Sequence, residues 1–179
     1  MRGLDCCRSG CRIVDLYAPK KMSFLKWLFG KKKPSIEPVD GESFVEYIDR
    51  QKFKHFRGKE LTGYFEKWRG DVQNSYPPRA MWPNFVPTLR VVDDIRRVLG
   101  CPVRITSSYR SPAYNKAVSG APLSFHQKFV AADIQCDGAT PHEVWKIACS
   151  MRDKGMFKGG IGLYNTFVHI DTRGVNADW

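Results

Sequence analysis

The sequence lacks any run of the ~18–20 apolar residues that a membrane-spanning helix requires. No unit of roughly 20–50 residues recurs, which excludes a solenoid or a propeller. Six cysteines in 179 residues are too few for a disulfide framework. Cys6, Cys7 and Cys11 cluster without a CxxC pair or a nearby histidine, which argues against a zinc knuckle. A lipoprotein cysteine would follow an apolar run, and residues 1–10 supply none. Cys101, Cys136 and Cys149 stand in apolar surroundings and read as buried free thiols, which leaves the redox compartment open. What is present is a globular composition: 42% hydrophobic, 13% aromatic and 26% charged residues support a real core in one domain with a tail.

Negative charge is also scarce at one end. The net charge is +11, and residues 1–33 carry nine basic residues against Asp5 and Asp15 alone. Most of the basicity therefore sits in a leader, spanning about residues 1–40, that reads as disordered. Within it, Met22–Gly30 is short, amphipathic and followed by Lys31–Lys33, an order opposite to that of a secretory signal. It fits weak attraction to an anionic surface. Met22 is a candidate start site, because the residues before it show no structural period. The remainder is nearly balanced, so no compact basic face for specific nucleic-acid binding is required.

The folded domain is expected over residues 41–179. Apolar spacing predicts helices near Phe44–Ile48, over Lys59–Trp68 and over Pro87–Leu99, the last closed by Gly100. Residues 70–84, rich in Pro and Asn, read as loop. Val103–Thr106, Val130–Gln135, Gly159–Leu163 and Phe167–Asp171 read as strands, and Ser111–Val118 as one or two helical turns. Thr140, Pro141 and Glu143 form a strong helix start, with Thr as cap and Glu closing a capping box. His142 and Glu143 belong to that cap, and His55 reads as structural. Early helices and late, closely connected strands predict an α+β fold: a small antiparallel sheet with helices packed on it.

One constellation carries chemistry. Asp133 lies inside an apolar strand, where a carboxylate is expensive unless paired or bound to a cation. His169 sits similarly in Phe167–Asp171, and His126 precedes Asp133 by seven residues. Zinc sites commonly take three protein ligands from His and carboxylate and leave one position for water, and these three residues supply that count and those atom types. Residue by residue, the plainer alternatives are a satisfied core histidine and a strand aspartate facing solvent.

At these residues a family becomes recognisable. Ser107-Ser108-Tyr109-Arg110-Ser111-Pro112, Asn115, Gly120-Ala121-Pro122 with Ser124 and His126, Ala131-Ala132-Asp133-Ile134 and Phe167–Gly174 closely resemble the zinc D-Ala-D-Ala carboxypeptidase and L-Ala-D-Glu endopeptidase family of murein peptidases. That family shares its core fold with the hedgehog signalling domain. The resemblance runs from about Leu89 to Trp179. It implies a Zn2+ ion held by His126, Asp133 and His169, with peptidoglycan stem peptides as substrate. Arg110, with Ser108 and Tyr109 beside it, is implied to contact the peptide, as paired guanidinium donors suit a carboxylate or developing oxyanion. The chemistry implied is hydrolysis by water acidified on zinc, with the scissile carbonyl polarised.

Two departures qualify the resemblance. Several relatives carry an acidic residue three positions before the last histidine, where this chain has Thr166, so Asp171 is the nearest candidate base. It shares a strand face with His169 and either takes a proton or orients a ligand or Arg173. Relatives often have Gln and Gly where this chain has Phe125 and Phe129, which predicts a more aromatic pocket wall. The functional readings are a zinc peptidase acting on peptidoglycan, from a wall-remodelling or phage lysin setting, or a catalytically weak peptidoglycan-binding module. A nucleic-acid binder driven by the leader is a third reading.

Overall fold

The structure, a computed structural model, describes residues 36–179. Cys6, Cys7, Cys11, Met22–Gly30 and most of the expected leader lie outside the described residues. Ile36–Val39 follow the domain surface: the Ile36 carbonyl accepts from Tyr47 Oη at 2.6 Å, the Glu37 carbonyl from Arg50, and the Val39 carbonyl from Arg79.

Helix α1 (Phe44–Arg50) begins at a Ser43/Glu46 capping box. A one-turn helix α2 (Gly58–Thr62) follows, shorter than the expected Lys59–Trp68. Across the expected helix end at Trp68 and the start of the expected 70–84 loop, Trp68–Arg69 (β1) and Val72–Gln73 (β2) form a small antiparallel hairpin turning at Gly70, whose φ is +56°. A 3-10 turn over Arg79–Met81 leads into α3 (Trp82–Leu99), which starts five residues before the expected Pro87. Pro83 lies in its first turn, where a missing N–H costs nothing, so only Pro87 interrupts the ladder. Gly100 ends it in the left-handed region, as expected.

The main sheet has five strands in the order β3 (Val103–Ser107), β4 (Ala131–Cys136), β6 (Val168–Asp171), β5 (Gly160–Leu163) and β7 (Ala177–Asp178). All neighbours are antiparallel except β5 and β7, which are parallel, so the expected antiparallel sheet gains one parallel edge strand. Helix α4 (Pro112–Ala117) is capped by Ser111, and α5 (Pro141–Asp153) by the Thr140/Glu143 box. Helices α3 and α5 contact the sheet; Leu89, Val92, Ile95, Val144 and Ala148 join Ala132, Ile134, Ile161, Val168 and Ile170 in one core. The fold is α+β. No helix among the described residues is long and apolar enough to cross a membrane.

Two expectations are corrected. Cys101 and Cys136 are disulfide-bonded rather than free, with Cα atoms 6.8 Å apart. The β3–β4 register pairs Val103 with Cys136, which brings Cys136 beside the residue that leads into β3. Cys149 is a free thiol, half-buried rather than fully buried.

Phe129 does not line the pocket wall. It is completely buried, stacked on Phe85 at 4.5 Å and edge-on to Phe65 and Tyr109. Its φ of +56° explains why a glycine suits this position in relatives. The left-handed backbone costs a bulky residue about 1–2 kcal/mol. Burying the ring returns ~1.5–3 kcal/mol and each aromatic pair a further ~0.5–1.5, so phenylalanine holds the turn before β4 by packing.

Candidate metal centre

The sheet register builds the site. Asp133 pairs with His169 on β6, and His169 pairs with Gly162 on β5. A bulge between Ile105 and Ser107 places Ser107 opposite Asp133. Ser107, Asp133, His169 and Gly162 therefore form one row across four strands. Ala132 and Ile134 on β4 point to the core, so alternation turns Asp133 to the other face.

His126 comes from the loop before β4. Asn115, 3% exposed, fixes that loop: its Nδ2 donates to the Ala121 carbonyl at 2.9 Å, and its own carbonyl accepts from Gly120 N–H. A Cβ on Gly120 would collide with the Asn115 amide, which is why glycine stands there. The His126 carbonyl accepts from Arg110 N–H at 3.2 Å, and its ring Nδ1 lies 2.6 Å from the Ser108 carbonyl. Ser108 thus serves the site through its backbone.

His126, Asp133 and His169 are all buried, and their ligand atoms lie within 4.8 Å of one another. His126 Nε2 and His169 Nδ1 approach the same atom, Asp133 Oδ1, at 3.1 and 2.9 Å. The protons decide what fits between them. His126 Nδ1 must donate, because a carbonyl only accepts; His169 Nε2 must donate to Asp171 Oδ2 at 3.0 Å. In neutral imidazoles the two inward nitrogens then carry lone pairs that face a carboxylate oxygen. In that state three acceptors converge, and a divalent cation satisfies all three while displacing any proton held between His169 and Asp133. The donor set of two nitrogens and one oxygen suits zinc.

The two imidazoles differ. Burial holds His126 below the usual imidazole range, with Asp133 offsetting only part of that, whereas for His169 burial is outweighed by the bonds to Asp133 and Asp171, which hold the ring above that range. Burial would raise Asp133, but His126 and His169 outweigh it and hold the carboxyl well below the usual carboxylate range. Its second oxygen accepts from Arg110 at 2.6 Å. Asp133 is therefore an anion in a buried site.

Asp171 is fully buried behind His169. Oδ1 accepts from Gly160 N–H at 3.0 Å and from Arg173 N–H and Nε; Oδ2 accepts from His169 and from Arg173 at 2.5 Å. Burial alone would raise this carboxyl, but Arg173, His169 and Gly160 overcome it and keep it ionised. The Arg173 guanidinium lies 3.9 Å from the centre of the Phe125 ring and 5.0 Å from that of Trp179. Trp179 also faces His169, ring centres 5.2 Å apart, and donates Nε1–H to Tyr164 Oη at 2.8 Å. A Cβ at Gly160 or Gly162 would strike the Trp179 ring, so these glycines clear its seat.

Arg110 links the site to its neighbours, donating from Nε to Ser107 Oγ at 2.9 Å as well as to Asp133. Tyr109 is 5% exposed, and its ring is edge-on to Phe129. Outside the site, His142 stacks on Trp145, and the His55 backbone N–H donates to Asp93. Sequence reasoning missed Ser107 and Trp179. The bulge that aims Ser107 has no local signature, but the glycines at 160 and 162 in an apolar strand signal a large group lying over them.

An α+β protein whose sheet carries a buried His–Asp–His group able to hold a metal ion is the class that fold and site define. The sequence model of the Peptidase M15 family matches residues 54–171, well over half the chain, and the chain belongs to that family. The match begins upstream of Leu89, taking in α2 and the hairpin. Among curated proteins the chain is similar to the peptidoglycan L,D-endopeptidase MepK of Escherichia coli (strain K12), 29% identical over 145 residues, covering 74% of this chain and 71% of that protein. The same figures hold for the proteins of that name from Escherichia coli O157:H7 and Shigella flexneri. No solved structure matches the chain.

Proposed function

We propose that this chain is a zinc-dependent peptidase that hydrolyses peptide bonds in peptidoglycan, and that it acts as an endopeptidase at a bond between an L and a D residue. The observation that carries the reading is the convergence of His126 Nε2, His169 Nδ1 and Asp133 Oδ1 in one buried group. The endopeptidase type rests on the likeness to MepK. His126, Asp133 and His169 would hold the ion, which supplies Lewis-acid polarisation of the scissile carbonyl and acidifies water.

The surrounding residues have separable tasks. Ser108 O and Asp171 fix the tautomers that leave one lone pair on each histidine. All the hydrogen bonds to Asp171 come from Gly160, Arg173 and His169, so we assign it to orienting His169 rather than to taking a proton from the nucleophile. Arg110 holds Asp133 in place and presents its guanidinium to the neighbouring cleft, where it would meet a peptide carbonyl. Trp179 and Phe125 keep water from the Asp171–Arg173 pair.

Digestion of purified peptidoglycan, with released muropeptides separated by chromatography, tests the reading. Products are expected with zinc, are lost on chelation and return on zinc addition; His126→Ala gives none. The saturated Asp171, together with Thr166 in place of an acid, favours the binding module as the second reading. Stoichiometric zinc and retention on peptidoglycan with no product at any pH would establish that reading instead.

A further inference from the structure

Next to the site, on the side of Ser107 and Arg110, lies a cleft of about 220 Å³ by the β1–β2 hairpin, lined by residues that include Tyr64, Lys67, Ser107, Tyr109, Arg110 and Tyr114. No carboxylate lines it. Its two cations differ in state. Arg110 is already neutralised by Asp133 at 2.6 Å. Among the described residues Lys67 pairs with no acid: its Nζ donates to the Thr106 carbonyl at 3.0 Å and lies 5.0 Å from the Tyr64 ring centre.

Lys67 is held there by a buried residue. Asn74, 5% exposed, donates from Nδ2 to the carbonyls of Tyr64 and Tyr109, at 3.0 and 2.9 Å. Its Oδ1 accepts from Ser111 N–H at 2.9 Å, and its own N–H donates to the Lys67 carbonyl at 2.8 Å. One side chain thus ties the hairpin to the loop that carries Arg110. From Lys67 the connections run through Thr106, whose hydroxyl donates to the Asp133 carbonyl at 3.2 Å, to the adjacent Ser107, which accepts from Arg110. The cleft therefore lies beside Ser107 of the row, with an exposed ammonium, a guanidinium and tyrosines around it.

From this arrangement we infer that the cleft is a subsite for a carboxylate of the substrate peptide and that Lys67 is its specificity-determining cation. An ammonium whose neighbours are a carbonyl and an aromatic face keeps its full charge for an incoming anion, and a cleft without acids repels none. The inference rests on the peptidase reading and names its substrate class as acidic peptides. The hairpin then serves recognition, while the sheet serves the metal.

The test uses a pair of stem peptides, one with its carboxyl groups free and one with them as carboxamides. Zinc-loaded wild type is expected to prefer the acid in kcat/KM by about tenfold, the worth of one charge-assisted hydrogen bond. Lys67→Met, which keeps the apolar stem, should bring that ratio close to one through KM, and Lys67→Arg should preserve the preference. A ratio unchanged in Lys67→Met, or a wild type that does not discriminate, overturns the inference. If wild type cleaves neither peptide nor intact peptidoglycan, the peptidase reading fails on its own. The subsite is then decided by calorimetric binding of the same two peptides, where a preference for the acid that Lys67→Met abolishes supports it and equal binding refutes it.

Discussion

The two flanks of the candidate metal centre are built on opposite plans. Behind His169, the charges are paired: Asp171 accepts from Gly160, His169 and Arg173, Arg173 lies between Phe125 and Trp179, and the indole N–H reaches Tyr164. Beyond Asp133, the cleft keeps an unneutralised ammonium and a guanidinium held by a single acid. The contrast teaches that a hydrolytic site needs one side that cannot move and one side that is not yet satisfied. Preorganisation belongs where the ion sits; residual charge belongs where the ligand arrives.

The largest expected effect lies on the line between the flanks. Asp133→Asn removes the anionic ligand and turns a donor inward: its Nδ2 faces the two histidines while its carbonyl still accepts from Arg110. The fold should survive, and zinc affinity should fall by more than about a hundredfold, beyond the range for losing a supporting hydrogen bond. Metal analysis after dialysis checks this, and a variant that retains a full equivalent of zinc would break the assignment of Asp133. Asp171→Asn comes next. Loss of charge behind His169 should lower zinc affinity by roughly 10–100-fold, measured by chelator competition, with little change in the acid-over-amide preference of the cleft.

The third effect concerns the frame of both flanks. The Cys101–Cys136 bond closes a sequence separation of 35 residues and clamps β3 to β4, the strands that carry Ser107 and Asp133. Loop-closure entropy assigns it about 3–4 kcal/mol. Reduction should therefore lower the melting temperature, and Cys101→Ser/Cys136→Ser should reproduce that lowering and abolish any further effect of reductant. Equal melting with and without reductant would show that the clamp contributes nothing.

The two flanks were unequally legible in the sequence. The metal row could be read because its signal is a contradiction visible in one line, a carboxylate and a histidine inside apolar strands, and the capping box at Thr140 is likewise local. The receiving flank has no such contradiction: Lys67 and Asn74 sit among ordinary surface residues, and the two-residue strands of the hairpin are too short to show a period. Pro83 and Pro87 disguised the first turns of α3, since a proline signals a break unless its place in the first turn is known. The disulfide and the parallel strand β7 depend on register, which pairs residues far apart in the chain. Phe129 misled in the other direction, because a residue at a glycine position of relatives looked like a change to the pocket when it was a change to the core.

The smallest effect sharpens the contrast most. Trp179 is half exposed, at 48%, yet it faces His169 and covers Arg173. Its strand is tied down by Arg152, which donates to the Ala177 carbonyl at 3.1 Å and to Asp178 at 2.7 Å, so the ring is held over the site by packing and pairing together. Trp179→Ala should admit water to the Asp171–Arg173 pair, weaken its hold on His169 and lower zinc affinity severalfold, less than the tenfold that opens the range for removing a supporting hydrogen-bond partner outright. Trp179→Phe restores the cover without the Tyr164 bond and should recover most of that loss. Because the change lies on the closed flank, the cobalt-substituted protein should show a shifted visible spectrum, while the ratio of acid to amide cleavage stays constant. A variant that changed the ratio and left the spectrum alone would mean that the indole belongs to the receiving side, and the division between the flanks would have to be redrawn.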